Sequence, residues 1–277
     1  MKNNTNKYKI LVLSDLKKST NATLKSTVSL AKMINGSIEF FHVKKPSDVV
    51  EKESQLSAMR TINKGHFAIE KEIQDLITPI SKDYGVNINY SFTYGNVKDE
   101  MRKYIKLNKP DIIVLGKRKS KPLNFMYGIT NFILKEHDGV IMLADNDNVL
   151  EPNKDISLGL LNGVEESFNL EFIEDLINQT QKPLKSFKIG KSDSDTSTKT
   201  NKHINKKVIE YVFEASDNTT DNLSNYVSKN NINLLCVNRE KKSTVKNENT
   251  SASDIKTFIG KLNVSFLVTG GQRLSVQ

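Results

Sequence analysis

Residues 111–144 read DIIVLGKRKSKPLNFMYGITNFILKEHDGVIMLA. Two short apolar runs, 111–116 (DIIVLG) and 139–144 (GVIMLA), enclose a basic loop and a segment of helical character around residues 130–135. A run that is apolar at nearly every position, rather than every second one, is what a strand buried on both faces looks like. Parallel neighbours need a crossover between them, usually a helix. A strand, helix and strand in this order therefore predict an α/β unit with a parallel sheet.

Upstream, the same grammar repeats. Residues 9–14 (KILVLS) form another buried-strand run, followed by a turn over 15–20. Leu24, Val28, Ala31 and Ile34 then recur with helical spacing. Asn35-Gly36 reads as the helix C-cap, and residues 37–43 (SIEFFHV) as a second strand. Ile69, Ile73, Leu76, Ile77 and Ile80 mark a long helical segment. Residues 86–94 (VNINYSFTY) alternate apolar with polar, the pattern of an edge strand. Gly95-Asn96 turns into a helix with Val97, Met101, Tyr104 and Ile105 inward.

The second half repeats the pattern faintly. Residues 156–162 (ISLGLLN), 184–190 (LKSFKIG) and 207–214 (KVIEYVFE) read as strands, and Leu170 to Ile177 as a helix. Residues 108–120 (NKPDIIVLGKRKS) align with 230–243 (NNINLLCVNREKKS), and 140–145 with 264–269 (VSFLVT). The spacing implies that the second copy lacks part of what lies between the first copy's opening and fourth strands. Residues 191–205, rich in Ser, Thr, Asp and Lys, read as a mobile surface loop. Residues 145–155, polar and with Pro152, read as the linker. The expected domains are 1–147 and a shortened 153–277.

Charge is divided unevenly. The chain has 277 residues and a net charge of +9, and all of that excess lies in residues 1–145. A basic half raises the local concentration of anions such as nucleotides. No apolar run approaches the ~20 residues a bilayer crossing needs, and residues 1–9 lack the apolar core of a secretory signal. The expected location is cytoplasmic, with no membrane partner. The single cysteine, Cys236, excludes an intramolecular disulfide and sits in an apolar run where an inert thiol is expected. His42, His66, His137 and His203 are scattered without metal-ligand spacing, so no metal is expected. No nucleophile is paired with a base, and no enzymatic activity is expected. Lys117, Arg118, Lys119 and Lys121 place four basic side chains on one loop, but without interleaved aromatics for base stacking. Nucleic acid is therefore not the expected partner.

The arrangement resembles the universal stress protein family in tandem form, strongly over residues 7–145 and weakly over 153–270. The opening strand ending in Asp15 (KILVLSDL), the strand closing in His42-Val43, the Tyr94-Gly95-Asn96 turn and residues 112–144 carry the resemblance. It implies two tandem five-stranded parallel sheets of adenine nucleotide alpha hydrolase-like type, each ordered 3-2-1-4-5. The halves would meet through their fifth strands as an intramolecular pseudo-dimer, with a homodimer of the chain also open.

Nucleotide-binding members carry Gly-x-x-Gly, about nine residues, then Gly-Ser/Thr between the fourth strand and the last helix. Glycines admit phosphate oxygens close to backbone N–H groups, and a helix N-terminus offers unpaired donors and a positive dipole end. By resemblance, Asp15 would contact adenine or ribose and the Val43 backbone the base. Leu115 and Gly116 would flank the ribose, and Gly128 with Thr130 would hold phosphates of ATP or another adenine nucleotide. The sequence departs from the pattern. Lys119 occupies the second glycine position, where its ammonium would instead pair with a phosphate. The spacing to Gly128 is one residue short, and Ile129 displaces the hydroxyl to Thr130. The alternative is an interaction module that has kept the fold and lost the ligand. The second copy has Asn162 in place of Asp15, Asn238 in place of Gly116, and no glycine over residues 244–253, so no nucleotide is expected there.

Overall fold

In the computed structural model, which describes residues 6–45, 55–117, 128–161, 170–180, 183–189, 208–214, 216, 218–239 and 252–270, strands and helices alternate in two series. The first is β1 (Tyr8–Ser14), α1 (Thr20–Ile34), β2 (Gly36–Lys44), α2 (Gln55–Tyr84), β3 (Ile88–Tyr94), α3 (Val97–Asn108), β4 (Ile112–Gly116), α4 (Ile129–Glu136) and β5 (Val140–Ala144). The second is β6 (Leu158–Leu161), α5 (Leu170–Gln179), β7 (Leu184–Ile189), β8 (Val208–Phe213), α6 (Thr219–Lys229), β9 (Leu234–Arg239), α7 (Ala252–Lys261) and β10 (Ser265–Gly270). The stretch 191–205 lies outside the described residues. Among those described, nothing in the second series stands where α2 stands in the first.

One ten-stranded sheet results, ordered β3-β2-β1-β4-β5-β10-β9-β6-β7-β8. Every pairing inside each half is parallel. The join is antiparallel, with Phe266 opposite Leu143, Leu267 opposite Met142 and Val268 opposite Ile141. Residues on alternate sides of the strands face two cores. Val12, Val114, Met142, Leu160, Cys236 and Leu267 share one with Leu24 and Val28 of α1, Ile73 of α2 and Phe172 of α5. Leu13, Leu115, Leu143, Val237 and Phe266 share the other with Met101 of α3, Phe132 of α4, Leu223 of α6 and Phe258 of α7. Both cores run across the join, which is why β5 is buried along its whole length.

Local chemistry explains the element ends. Asn35 ends α1 in the left-handed region (φ 55°, ψ 53°), its N–H bonded to the Ala31 carbonyl, while Gly36 already opens β2. A Cβ at Gly36 would sit 2.6 Å from Ile10 Cδ1. Asn96 caps α3 by accepting from the N–H groups of Lys98 and Asp99. The segment read as a polar linker is stitched down. Asp145 Oδ1 accepts from the N–H groups of Asp147 (3.0 Å) and Asn148 (2.9 Å). The N–H of Leu150 donates to Ser26 Oγ of α1 at 3.0 Å, and Leu150, Pro152 and Ile156 are buried. A further tie runs from β1 to α5. Asp175 accepts from Lys7 Nζ (2.6 Å) and from the buried Tyr8 hydroxyl (2.9 Å), and the Tyr8 ring meets Phe172 edge-on.

Candidate functional site

Strand β1 is flanked by β2 on one side and β4 on the other, so the winding direction reverses between β1 and β4. Parallel α/β sheets open a crevice at the carboxyl ends of their strands at such a point. Here the register puts Ser14 opposite His42, Leu13 opposite Leu115, and Gly116 opposite Ala144. Asp15 follows at once, exposed, its Oδ1 accepting from the Lys17 N–H at 3.3 Å and its Oδ2 3.5 Å from Lys17 Nζ. Val43 and Leu115 turn buried side chains into the core beneath α3 and α4, leaving backbone at the edge. The sheet thus brings Asp15, Val43, Leu115 and Gly116 to one edge.

Gly128 is the N-cap of α4, in extended backbone (φ -85°, ψ -168°) that any residue adopts. Among the described residues no side chain caps this helix end, and no acidic residue stands in its first turn. Ile129 and Phe132 pack into the core that holds Leu13, Val43 and Leu115. Thr130, half-buried, is the second residue of the helix. Lys119, Arg118 and Lys121 lie outside the described residues.

Lys117, read from the sequence as one of four basic side chains on a loop, does not project from that loop. It is buried, with Nζ 3.2 Å from Asp145 Oδ2 and hydrogen-bonded to the carbonyl of Leu262 in the second half. The structure also adds residues to the edge. A Cβ on Gly116 would meet Thr23 Oγ1 at 2.7 Å, Ser19 Oγ at 3.7 Å and Asn146 Oδ1 at 3.9 Å. Thr23 belongs to a buried hydroxyl stripe on α1 with Thr20, Ser26 and Thr27. Its spacing of three and four residues was the signal available in the sequence, beside the apolar positions that defined the helix. Asn146 donates from Nδ2 to the Lys117 carbonyl at 2.7 Å, and its buried Oδ1 has no hydrogen-bond partner.

His42, at the same edge, is buried with Nδ1 2.9 Å from the Ser14 carbonyl and Nε2 without a partner. Burial holds its pKa below the usual histidine value, since a charged ring there would lose its hydration. In the second half, Asn238 occupies the strand position equivalent to Gly116, opposite Thr269. Residues 162 and 244–251 lie outside the described residues. Among those described, no cluster of His, Cys, Asp or Glu is arranged to hold a metal ion, and no helix is long and apolar enough to cross a membrane.

This edge lies at the end of a parallel series ordered β3-β2-β1-β4-β5. Residues 8–131, within the first half of the chain, match the model of the universal stress protein family. A universal stress protein from Archaeoglobus fulgidus DSM 4304 superposes over 95% of this chain and 96% of its own, with a TM-score of 0.66 at 12% identity. A functionally unknown protein from Pseudomonas aeruginosa PAO1 superposes over 95% of this chain and 92% of its own, with a TM-score of 0.57 at 8% identity. At these identities the likeness is one of fold. No curated protein matches the chain.

Proposed function

We propose that this protein is a cytoplasmic, non-enzymatic stress-response regulator that binds an adenine nucleotide, ATP, in its first half. The convergence of Asp15, the Val43 backbone and Gly116 on the edge where strand order reverses carries the reading. Asp15 is exposed and suited to accept from a ribose hydroxyl or the adenine amine. Helix α4 begins at Gly128 with N–H donors that no side chain among the described residues caps, a favourable end for an anion. The basic excess of this half adds steering toward phosphates. The second half takes no nucleotide, because Asn238 carries a side chain at the strand position where Gly116 has none, and one nucleotide binds per chain.

Calorimetry with Mg-ATP tests this. The expected outcome is one site per chain, weakened at least about tenfold, or about 1.4 kcal/mol, by Asp15→Ala and by Gly128→Val. The nucleotide should be recovered unhydrolysed. No binding at millimolar Mg-ATP would transfer the assignment to an interaction module that has kept the fold and lost the ligand.

A further inference from the structure

Lys117 directly follows Gly116 and begins the connection to α4, yet it is only 8% exposed. It is held at three points. Its N–H donates to the Ala144 carbonyl at 2.7 Å and its carbonyl accepts from Asn146 Nδ2 at 2.7 Å. Its ammonium crosses the join between the halves, pairing with Asp145 and donating to the Leu262 carbonyl between α7 and β10. It also lies 5.4 Å from the centre of the Phe266 ring on β10. Asp145 faces the same way, its N–H donating to Ser265 Oγ at 3.0 Å. Asn148 Nδ2 donates to the Asn263 carbonyl at 3.3 Å. The start of the proposed phosphate loop and the α7–β10 turn are therefore parts of one hydrogen-bonded cluster.

Withdrawing an ammonium and a carboxylate from water is costly, and the pair repays that cost only while its geometry is complete. Removing either partner strands the other. The cluster is docked in this structure, and breaking the pair defines an open arrangement. A ligand shifts that balance only if it binds one arrangement better. A ligand whose backbone contacts begin at Gly116 has that preference, because the docked cluster sets where the chain leaves β4.

We propose that Lys117 is a positioning residue for the first-half site. It does not bind phosphate; it clasps the start of the loop to the α7–β10 turn, so that nucleotide binding and docking of that turn stabilise each other. Coupling of this kind is reciprocal. The proposal rests on the nucleotide reading above and adds the second half to the site's framework.

Hydrogen exchange on the full chain with and without Mg-ATP, joined to calorimetry on Lys117→Met/Asp145→Asn, tests it. The double substitution removes both charges and strands neither. The expected result is slower exchange across residues 262–270 of the unmutated protein when Mg-ATP binds. The double variant is expected to bind about tenfold more weakly, within the usual span of allosteric coupling, and to lose the transmitted slowing. If Mg-ATP binds while exchange at 262–270 is unchanged, or if the folded double variant keeps the original Kd, the clasp is overturned and the nucleotide site stands. No binding by the unmutated protein overturns both. The exchange measurement on the unmutated chain decides the matter even where the variant fails to fold.

Discussion

Gly116→Ala separates a glycine kept for a ligand from a glycine kept for packing. The added Cβ would lie 2.7 Å from Thr23 Oγ1, closer than real Cβ contacts come. Neither side yields easily. The backbone at 116 is in register with Ala144 of β5. Thr23 is 4% exposed on α1, and its hydroxyl donates to the Ser19 carbonyl at 3.1 Å. Turning Thr23 away breaks that bond, worth about 0.5–1.5 kcal/mol, and an off-rotamer side chain costs about as much again. Together these set a loss of about 1–3 kcal/mol, the range found for overpacked cores. Thr23→Ala removes the clashing oxygen, so Gly116→Ala/Thr23→Ala should recover most of the loss, a coupling that a double-mutant cycle isolates. Urea unfolding followed by circular dichroism measures all four proteins. A neutral Gly116→Ala, or no recovery in the double variant, would refute the packing argument. Calorimetry on the recovered double variant then isolates the ligand's own need for glycine.

Three further outcomes are expected. Asp175→Ala should destabilise by about 1–3 kcal/mol, because the Tyr8 hydroxyl is left unpaired, and Tyr8→Phe in the same background should restore part of it in urea melts. Stability should fall as pH drops below about 6.5, where an unfolded histidine takes up a proton that buried His42 resists; the unfolded chain then binds more protons. Above that pH the effect vanishes, and His42→Gln should flatten the pH dependence; an unchanged slope between pH 7 and 5 would assign it to other groups. Cutting the chain after Asp147 exposes the edge of β5, all five residues of which are buried in the full chain, and an uncovered edge invites pairing. Light scattering should show the fragment self-associating, and a soluble monomer would contradict the covering role of β10.

The strands were legible in the sequence because burial on both faces demands unbroken apolar runs. Residues 111–116 and 139–144 contain β4 and β5 almost to the residue. Helix α1 was legible through Leu24, Val28, Ala31 and Ile34, and Asn35 through its tolerance of left-handed backbone. The meeting of Asp15, Val43 and Gly116 at one edge followed from the resemblance, since parallel register carries strand ends together. Helices α6 and α7 went unread, because the repeat had faded there and only a few apolar positions remain.

Other features depended on what packs against what. Lys117 stands in a run of basic residues whose local pattern is that of a solvated loop; it is buried because Asp145 and the Leu262 carbonyl arrive from elsewhere in the fold. The hydroxyl stripe of α1 has the composition of an exposed helix face, and contact with Gly116 and Leu150 makes it interior. Residues 145–155 have a linker's composition, yet Ser26 and Ser265 bind them down. Periodicity along a chain therefore determined each strand and most helices, since it records which side of an element avoids water. Which polar groups are buried, and how the halves clasp across β5 and β10, was decided only in three dimensions, where a polar group's cost depends on its partner's position.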